Sequence, residues 1–119
     1  MKKVVIQEAL SQISTHWDPH LVGALNGQHV KLAKIKGTFP WHFHEAEDEL
    51  FLVIAGSFDL EFRDRTVHLK TGEFCIVPRG VEHRPVAEEE AAILLFEPAS
   101  TLNTGNLDNE MTKRDLKSI

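Results

Sequence analysis

Several residue types are rare or absent in this sequence, and each shortage excludes a class of protein. Cys75 is the single cysteine, so no disulfide can form within the chain, and a reducing compartment suits it. The chain has no tyrosine, so a thiol dioxygenase with a phenolic side chain beside its metal gains no support. No cluster of Lys and Arg accompanies the net charge of −5, which argues against nucleic acids and anionic membrane surfaces as partners.

Long hydrophobic runs are missing as well. No segment approaches the roughly 20 apolar residues that cross a bilayer. Polar residues interrupt the start, MKKVVIQEALSQI, so the sequence does not predict a signal peptide. We therefore expect a cytoplasmic protein with no membrane partner.

The composition is that of a soluble globular domain. The chain has 119 residues, of which 42% are apolar and 26% charged, so we predict one domain over residues 1–119. A domain of this size buries enough surface to fold without a disulfide or a structural metal. A metal bound to it would therefore serve function.

Short apolar or alternating segments, separated by Gly and Pro, predict an all-β domain of about seven or eight strands. The predicted strands lie in QHVKLAKIKG, ELFLVIAG, SFDLEFRD, RTVHLKTGE, FCIVPRG and AAILLFEP. ELFLVIAG is apolar on both faces and FCIV has the composition of a buried strand, so both should be covered on each side. Asn26-Gly27 predicts a tight turn before the first of these strands.

The two ends of the chain have less distinctive patterns. IQEALSQIS, near the N-terminus, fits either a short helix or an edge strand. Residues 100–119 form a polar tail, within which 110–116 fit either a helical turn or a frayed end.

Four residues predict a metal site. His42 and His44 are one residue apart and would share one face of a strand. Glu49 opens the next predicted strand, and a turn through EAED would bring it back beside the two histidines. His83 follows a Pro-x-Gly turn at the start of another strand. Three imidazoles and one carboxylate suit one divalent transition metal, which could be Fe, Mn, Ni, Zn or Cu.

The spacing of these residues resembles the two motifs of the cupins. The first motif is carried, with four residues after its first glycine where five are usual, by Gly37, His42, His44, Glu49 and Gly56. The second is carried, with Ala87 where Asn is common, by Gly72, Pro78, Gly80 and His83. The resemblance covers about residues 30–98. It implies a small single-domain RmlC-like cupin, a double-stranded β-helix or jelly-roll barrel, in which His42, His44, Glu49 and His83 bind the metal and leave one or two positions open.

Neighbouring polar residues have simpler interpretations. We expect solvated or hydrogen-bonded side chains at His16, His20, His29 and His68. Glu45, Glu47 and Asp48 are expected in a solvated turn. Asp48 also fits the looser motif spacing, but strand alternation sends it to the face opposite Glu49.

Three further residues could touch a ligand. Phe39 and Trp41 precede the histidine pair and would either line the pocket mouth or pack in the core or at an interface. Arg84, beside His83, is a candidate substrate contact, because a guanidinium binds carboxylate or enolate oxygens. The alternative is a surface arginine paired with one of Glu88–Glu90.

The favoured function is that of a metal-dependent enzyme acting on an oxygen-rich small molecule by isomerase, lyase or dioxygenase chemistry. Water or Glu47 would supply acid or base chemistry. One alternative is a non-catalytic module that binds or senses a small ligand, and another is a metal-free sugar epimerase-type cupin with a His–acid proton shuttle. Since ELFLVIAG is apolar on both faces, we also expect a homodimer.

Overall fold

The computed structural model describes all 119 residues, and strands make up most of its regular structure. The elements are α1 Ile6–Leu10, β1 His20–Leu25, β2 Gln28–Thr38, β3 Glu49–Ala55, β4 Ser57–Phe62, β5 Thr66–Lys70, β6 Phe74–Val77, β7 His83–Pro98 and β8 Lys117–Ser118. The predicted all-β class is confirmed, and the N-terminal element is a helix. None of the helical structure is long and apolar enough to span a membrane.

The longest strand, β7, organises the sheet. It pairs antiparallel with β2 along most of its length, with β4 through its first residues and with β3 through its last. The strand predicted in AAILLFEP and the one predicted to start at His83 are therefore one 16-residue strand. The pairing of β2 with β7 shifts register between the pair Ile35–Ala91 and the pair Gly37–Ala87. This shift marks a bulge at which β7 can bend.

Gly56 shows why the apolar run of β3 stops where it does. Its φ is 81°, and a Cβ atom there would lie 3.0 Å from the carbonyl oxygen of Glu90 and 3.3 Å from Cα of Ala91. Only glycine combines this backbone conformation with so close an approach to β7. The chain therefore turns directly from β3 into β4.

The main core lies inside the barrel, where alternate residues of the strands point inward. Its twelve buried residues are Ala33, Ile35, Phe51, Val53, Phe58, Leu60, Leu69, Val77, Ala87, Ala91, Ile93 and Leu95. A second cluster lies on the outside, where Ala9 and Leu10 of α1 pack with Ile13 against Leu32 and Ala92. The helix thus covers one part of the outer face of β2 and β7.

The prediction that β3 and β6 are buried on both faces is wrong. Leu50 and Leu52 of β3 are half-buried, and Phe74 and Ile76 of β6 are 59% and 54% exposed. The reason is that β6 pairs only with β3, so it forms an edge of the sheet, and the second cluster, around α1, extends only as far as Ile54 of β3 and Leu94 of β7. Cys75, between the two exposed residues, packs partly against the core, as expected of a packing thiol.

The turn at Asn26-Gly27 is confirmed. Both residues have positive φ, 50° and 77°, and Leu25 pairs with Gln28 across a two-residue connection. These values are those of the type I′ turn, whose twist matches that of the flanking strands.

The C-terminal segment, residues 100–119, is neither helical nor frayed. It folds back over one end of the barrel, and β8 pairs in parallel with β1. Asn106 makes two hydrogen bonds to the backbone of Phe43. Its backbone N–H donates to the Phe43 carbonyl at 3.0 Å, and its side-chain Oδ1 accepts from the Phe43 N–H at 2.9 Å. Thr104 is fully buried. These contacts join residues far apart in sequence, which is why local pattern does not predict them.

Candidate metal centre

The four predicted ligand residues meet inside the barrel. His42 and His83 lie opposite each other, with reciprocal backbone hydrogen bonds of 3.0 and 2.9 Å, and their rings have centroids 4.4 Å apart. His44 follows two residues on, on the same inward side, and Glu49 opens β3. Each of the four is at most 4% exposed. One candidate ligand atom from each lies within 4.8 Å of all the others.

Backbone carbonyls orient two of the imidazoles. Nδ1 of His42 is 2.9 Å from the carbonyl oxygen of Pro40, and Nδ1 of His83 is 2.8 Å from that of Val81. Because a carbonyl can only accept, the proton of each neutral ring sits on Nδ1. This leaves the lone pair of Nε2 free to bind a metal, an arrangement that is usual for ligating histidines.

The atoms at the centre of the group have no hydrogen-bond partner. They are Nε2 of His44, Nε2 of His83 and Oε1 of Glu49, all buried. Oε1 of Glu49 is 3.3 Å from the first nitrogen and 3.4 Å from the second. Ligand atoms at about 2.1 Å from one ion stand roughly 3.0 to 3.4 Å apart, so these residues fit a transition metal ion in both chemistry and spacing.

The charge states also suit metal binding. Burial and the neighbouring His83 lower the pKa of His42 to about 4, so its imidazole is neutral at physiological pH. Burial alone would raise the pKa of Glu49, but the hydrogen bond and positive charge that His44 or His83 supplies when its ring is protonated on Nε2 outweigh burial and hold that pKa well below its usual value. A neutral imidazole and an ionised carboxylate are the forms that bind metals.

The turn residues between His44 and Glu49 stay outside the group, as expected. Oδ1 of Asp48 accepts a 2.8 Å hydrogen bond from the backbone N–H of Arg79 on the opposite side of β3. Glu47 accepts from Ser100 at 2.9 Å, and Glu45 is exposed. Glu47, a candidate acid or base, does not line the cavity beside His42 and Glu49, but it lines a separate pocket that His44 also borders.

The other histidines lie away from this group, and three of the four are hydrogen-bonded. Two of these bonds go to carboxylates, from His16 to Glu90 at 2.8 Å and from His68 to Asp59 at 2.6 Å. His20 bonds to a backbone carbonyl. His29 is partly exposed, and its Nδ1 is buried with no partner.

A narrow cavity lies beside the metal group and gives it room for a ligand. His42 and Glu49 form part of its wall, and Phe39 lines it among other apolar side chains. The cavity has about 50 Å³ of space for the centres of water molecules. The C-terminal segment covers it through Thr101 and Asn103 and through residues 113 and 116.

Arg84 and Trp41 lie outside this cavity, which corrects the expected substrate contact at Arg84. His83 points inward, so alternation along β7 turns Arg84 outward. Its Nε is 2.7 Å from Oε1 of Glu61, and its guanidinium lies 4.7 Å from the ring centre of Trp41. Arg84 is thus a paired outer arginine, but the predicted pairing with Glu88–Glu90 is wrong. Trp41 packs between Arg84 and Arg63, the latter 3.8 Å from its ring centre.

The sequence did not predict two charged residues that line the cavity, Lys31 and Glu97. Both are buried, and Nζ of Lys31 is 3.7 Å from Oε2 of Glu97. Burial and the Glu49 carboxylate raise the pKa of Glu97 well above its usual value. Lys31 is two residues from Ala33, and Glu97 is two residues from Leu95, so each shares a strand face with an inward residue. Strand alternation could have identified them only if the strand register had been known.

Comparison with known proteins identifies the family of this chain. A family model for the cupin domain, Cupin_2, matches residues 28–97, which is more than half of the sequence. The chain belongs to the cupin family. The resemblance predicted from the two motifs is thereby confirmed, along with the barrel fold that it implies.

Solved structures agree with this assignment. A cupin-2 domain containing protein from Shewanella frigidimarina is 38% identical, with a TM-score of 0.79 over 80% of this cupin and 93% of that chain. Protein NMB1881 from Neisseria meningitidis is 26% identical, with a TM-score of 0.76 over 82% of this chain and 100% of that one.

The uncharacterized protein YdbB from Bacillus subtilis is 36% identical over 64 residues. That match spans 53% of this cupin and 57% of YdbB.

Proposed function

We propose that this cupin binds one divalent transition metal through His42, His44, Glu49 and His83 and presents it to a small, oxygen-rich molecule in the cavity. The observation that carries the proposal is the convergence of buried, unpartnered nitrogen and oxygen atoms at 3.3 and 3.4 Å. Without a cation, those atoms would be desolvated with nothing to compensate them. Fe, Mn, Ni, Zn and Cu all suit the ligand set.

The surroundings of the group favour function over structural support. A structural metal site is usually closed on all sides by protein ligands, whereas a catalytic one keeps an open position. Here His42 and Glu49 border a cavity, and the main core lies on the other inward positions of the barrel. A bound divalent ion would act as a Lewis acid toward an oxygen atom of the ligand.

Among the possible activities, we favour an enzyme with isomerase, lyase or dioxygenase chemistry. The C-terminal segment and apolar walls such as Phe39 line the cavity and would shape the ligand. The alternative is a non-catalytic module in which the same residues bind or sense a ligand. A metal-free proton shuttle uses one histidine and one acid, so it leaves two of the three imidazoles around Glu49 without a role.

Metal analysis of untagged protein tests the proposal. We expect about one equivalent of transition metal per chain, and its loss when His42→Ala and His83→Ala are combined. His68→Ala is the matched control, because His68 is exposed and pairs with Asp59 away from the site. Absence of metal in the native protein, together with no uptake after loading with Fe(II), Mn(II), Ni(II) or Zn(II), would refute the metal site.

Product analysis of the loaded protein separates the enzyme from the binder. A panel of keto acids, sugar phosphates and sulfonium compounds covers the chemistries named above. Turnover of any of them supports the enzyme. Thermal stabilisation by a compound that is not converted supports the binding module.

We also infer that the protein forms a homodimer through the outer face of β6, β3 and β7. Paired residues form two apolar rows across these strands, Ile76–Leu50–Phe96 and Phe74–Leu52–Leu94. The free edge of β6 could pair with β6 of a second copy, which would cover Phe74 and Ile76 in both subunits. Light scattering of the wild type should give twice the chain mass. Phe74→Glu should give a monomer, while Leu25→Glu, exposed on β1, should not.

The location in a reducing cytoplasm stays a prediction, which rests on Cys75 being the single cysteine. Burial raises the pKa of the Cys75 thiol, which lowers its thiolate fraction and its reactivity. The residue thus serves packing between two exposed apolar neighbours.

A further inference from the structure

A second polar group lines the cavity beside the metal residues. It consists of Lys31, Glu97 and Thr101, each at most 7% exposed. The ammonium of Lys31 lies 3.7 Å from Oε2 of Glu97 and donates only one long hydrogen bond, 3.4 Å, to the carbonyl oxygen of Thr101. Oε2 of Glu97 and Oγ1 of Thr101 have no hydrogen-bond partner. Buried polar groups are almost always fully bonded, so this group lacks a polar partner.

The strand register places this group next to the metal residues. Leu50 pairs with Phe96 across β3 and β7, so Glu49 and Glu97 lie side by side on the inner face. Lys31 lies on the adjacent strand β2, where it pairs with Leu95. One small molecule in the cavity could therefore contact both groups.

Formal charge determines what kind of molecule fits. A divalent ion and Lys31 are positive, while Glu49 is negative, so the loaded cavity keeps at least one net positive charge whether or not Glu97 is ionised. A net charge in a buried, low-dielectric space is costly unless a counter-charge enters with it. The cavity therefore favours an anion over a neutral molecule of the same shape.

The volume limits the size of that anion. A water molecule needs roughly 10 to 15 Å³ of such space, so the 50 Å³ of this cavity hold only a few waters. Apolar side chains, including Ile35, Phe39 and Ile93, form the rest of the wall. They would contact a methyl group of the ligand but could not hydrogen-bond to a further polar group.

We propose that Lys31, assisted by Thr101, binds the carboxylate of a small monoanionic keto acid or related carboxylate, whose other oxygen faces the metal residues. This inference rests on the metal site proposed above and adds the substrate class. Lys31 would be a specificity-determining residue, because its ammonium distinguishes a carboxylate from a neutral amide.

The test uses Co(II)-loaded full-length protein, whose visible absorption reports on ligands near the metal. Pyruvate and its neutral isostere pyruvamide are titrated against the wild type, Glu97→Gln, and Glu97→Gln combined with Lys31→Met. The Glu97→Gln background is needed because removal of Lys31 alone would leave a buried carboxylate unpaired. The two variants then differ by a single charge.

We expect the wild type and Glu97→Gln to bind pyruvate at least about tenfold more tightly than pyruvamide. Adding Lys31→Met should weaken pyruvate binding by about tenfold or more and leave pyruvamide binding unchanged. If the double variant does not fold, Lys31→Gln in the same background should give the same loss.

Three results would overturn the inference. Equal affinities of the double variant and Glu97→Gln for pyruvate would remove Lys31 from the site, as would an equal loss for pyruvate and pyruvamide. Failure to bind Co(II) at all would refute the metal site and this inference together. Bound Co(II) with pyruvate binding that is insensitive to Lys31 would refute this inference alone.

Discussion

Gly105 offers a sharp test of how the C-terminal segment is held over the metal residues. Its φ is 57°, and a Cβ atom there would overlap the carbonyl oxygen of Phe43 and lie 2.9 Å from the carbonyl carbon. The same atom would be 3.2 Å from Cδ2 of His42. Because Phe43 lies between two proposed metal ligands, Gly105→Ala must push the segment away from them.

The expected cost follows from the contacts that would be lost. Alanine in this left-handed conformation costs about 1 kcal/mol. Displacing the segment breaks the two hydrogen bonds between Asn106 and Phe43, each worth about 0.5 to 1.5 kcal/mol. The free energy of unfolding should therefore fall by about 2 to 4 kcal/mol, which lowers Tm by roughly 6 to 15 °C in a domain of this size.

Thermal denaturation and limited trypsin digestion measure the two effects. We expect a lower Tm and faster cleavage after Lys113 and Arg114, which are exposed but held in a segment anchored at both ends. Gly72→Ala is the matched control, because Gly72 also has positive φ, 85°, but nothing lies within 4 Å of its added Cβ. It should lose only about 1 kcal/mol. Equal losses of Tm and equal cleavage in the two variants would refute the reasoning.

Three further predictions concern the metal residues and the core. Chelation of the metal from native protein should lower Tm, and re-addition should restore it in a concentration-dependent way, because only the folded state assembles the site; a Tm unaffected by chelator contradicts this. In metal-free protein, the pKa of His42 is about 4 against 6.5 for a free imidazole, so the unfolded chain takes up the proton first as pH falls. Stability should therefore decrease by at most about 3 kcal/mol from pH 6.5 to 4, and His42→Asn should flatten that slope in urea unfolding. Leu60→Ala, at a fully buried site, should cost about 2 to 5 kcal/mol, whereas Leu25→Ala at an exposed site should change the free energy of unfolding by less than about 0.5 kcal/mol.

The four candidate ligand residues could be predicted because their spacing matches the two cupin motifs. Alternation puts His42 and His44 on one side, and Pro78 and Gly80 form the turn that precedes His83. Strand alternation and turn chemistry act over a few residues, so both can be predicted from the sequence. The structure brings together all four residues that the spacing predicts.

The cavity partners could not be predicted in the same way. An isolated strand pattern does not say which of its two faces points inward. Pairing of β2 with β7 decides that Lys31, Ala33 and Ile35 face the interior. The same register turns Glu97 toward Glu49.

The sequence by itself predicted the all-β class, through short-range periodicity and turn chemistry, and its resemblance to the two cupin motifs predicted the family and the four candidate ligand residues. The tertiary structure decided what surrounds that group. It folds a polar tail over the cavity through Asn106 and Phe43, pairs Arg84 with Glu61 on the outside, and buries Lys31 beside Glu97. Each of these contacts joins residues distant in the chain, and their free energy arises only when the barrel closes.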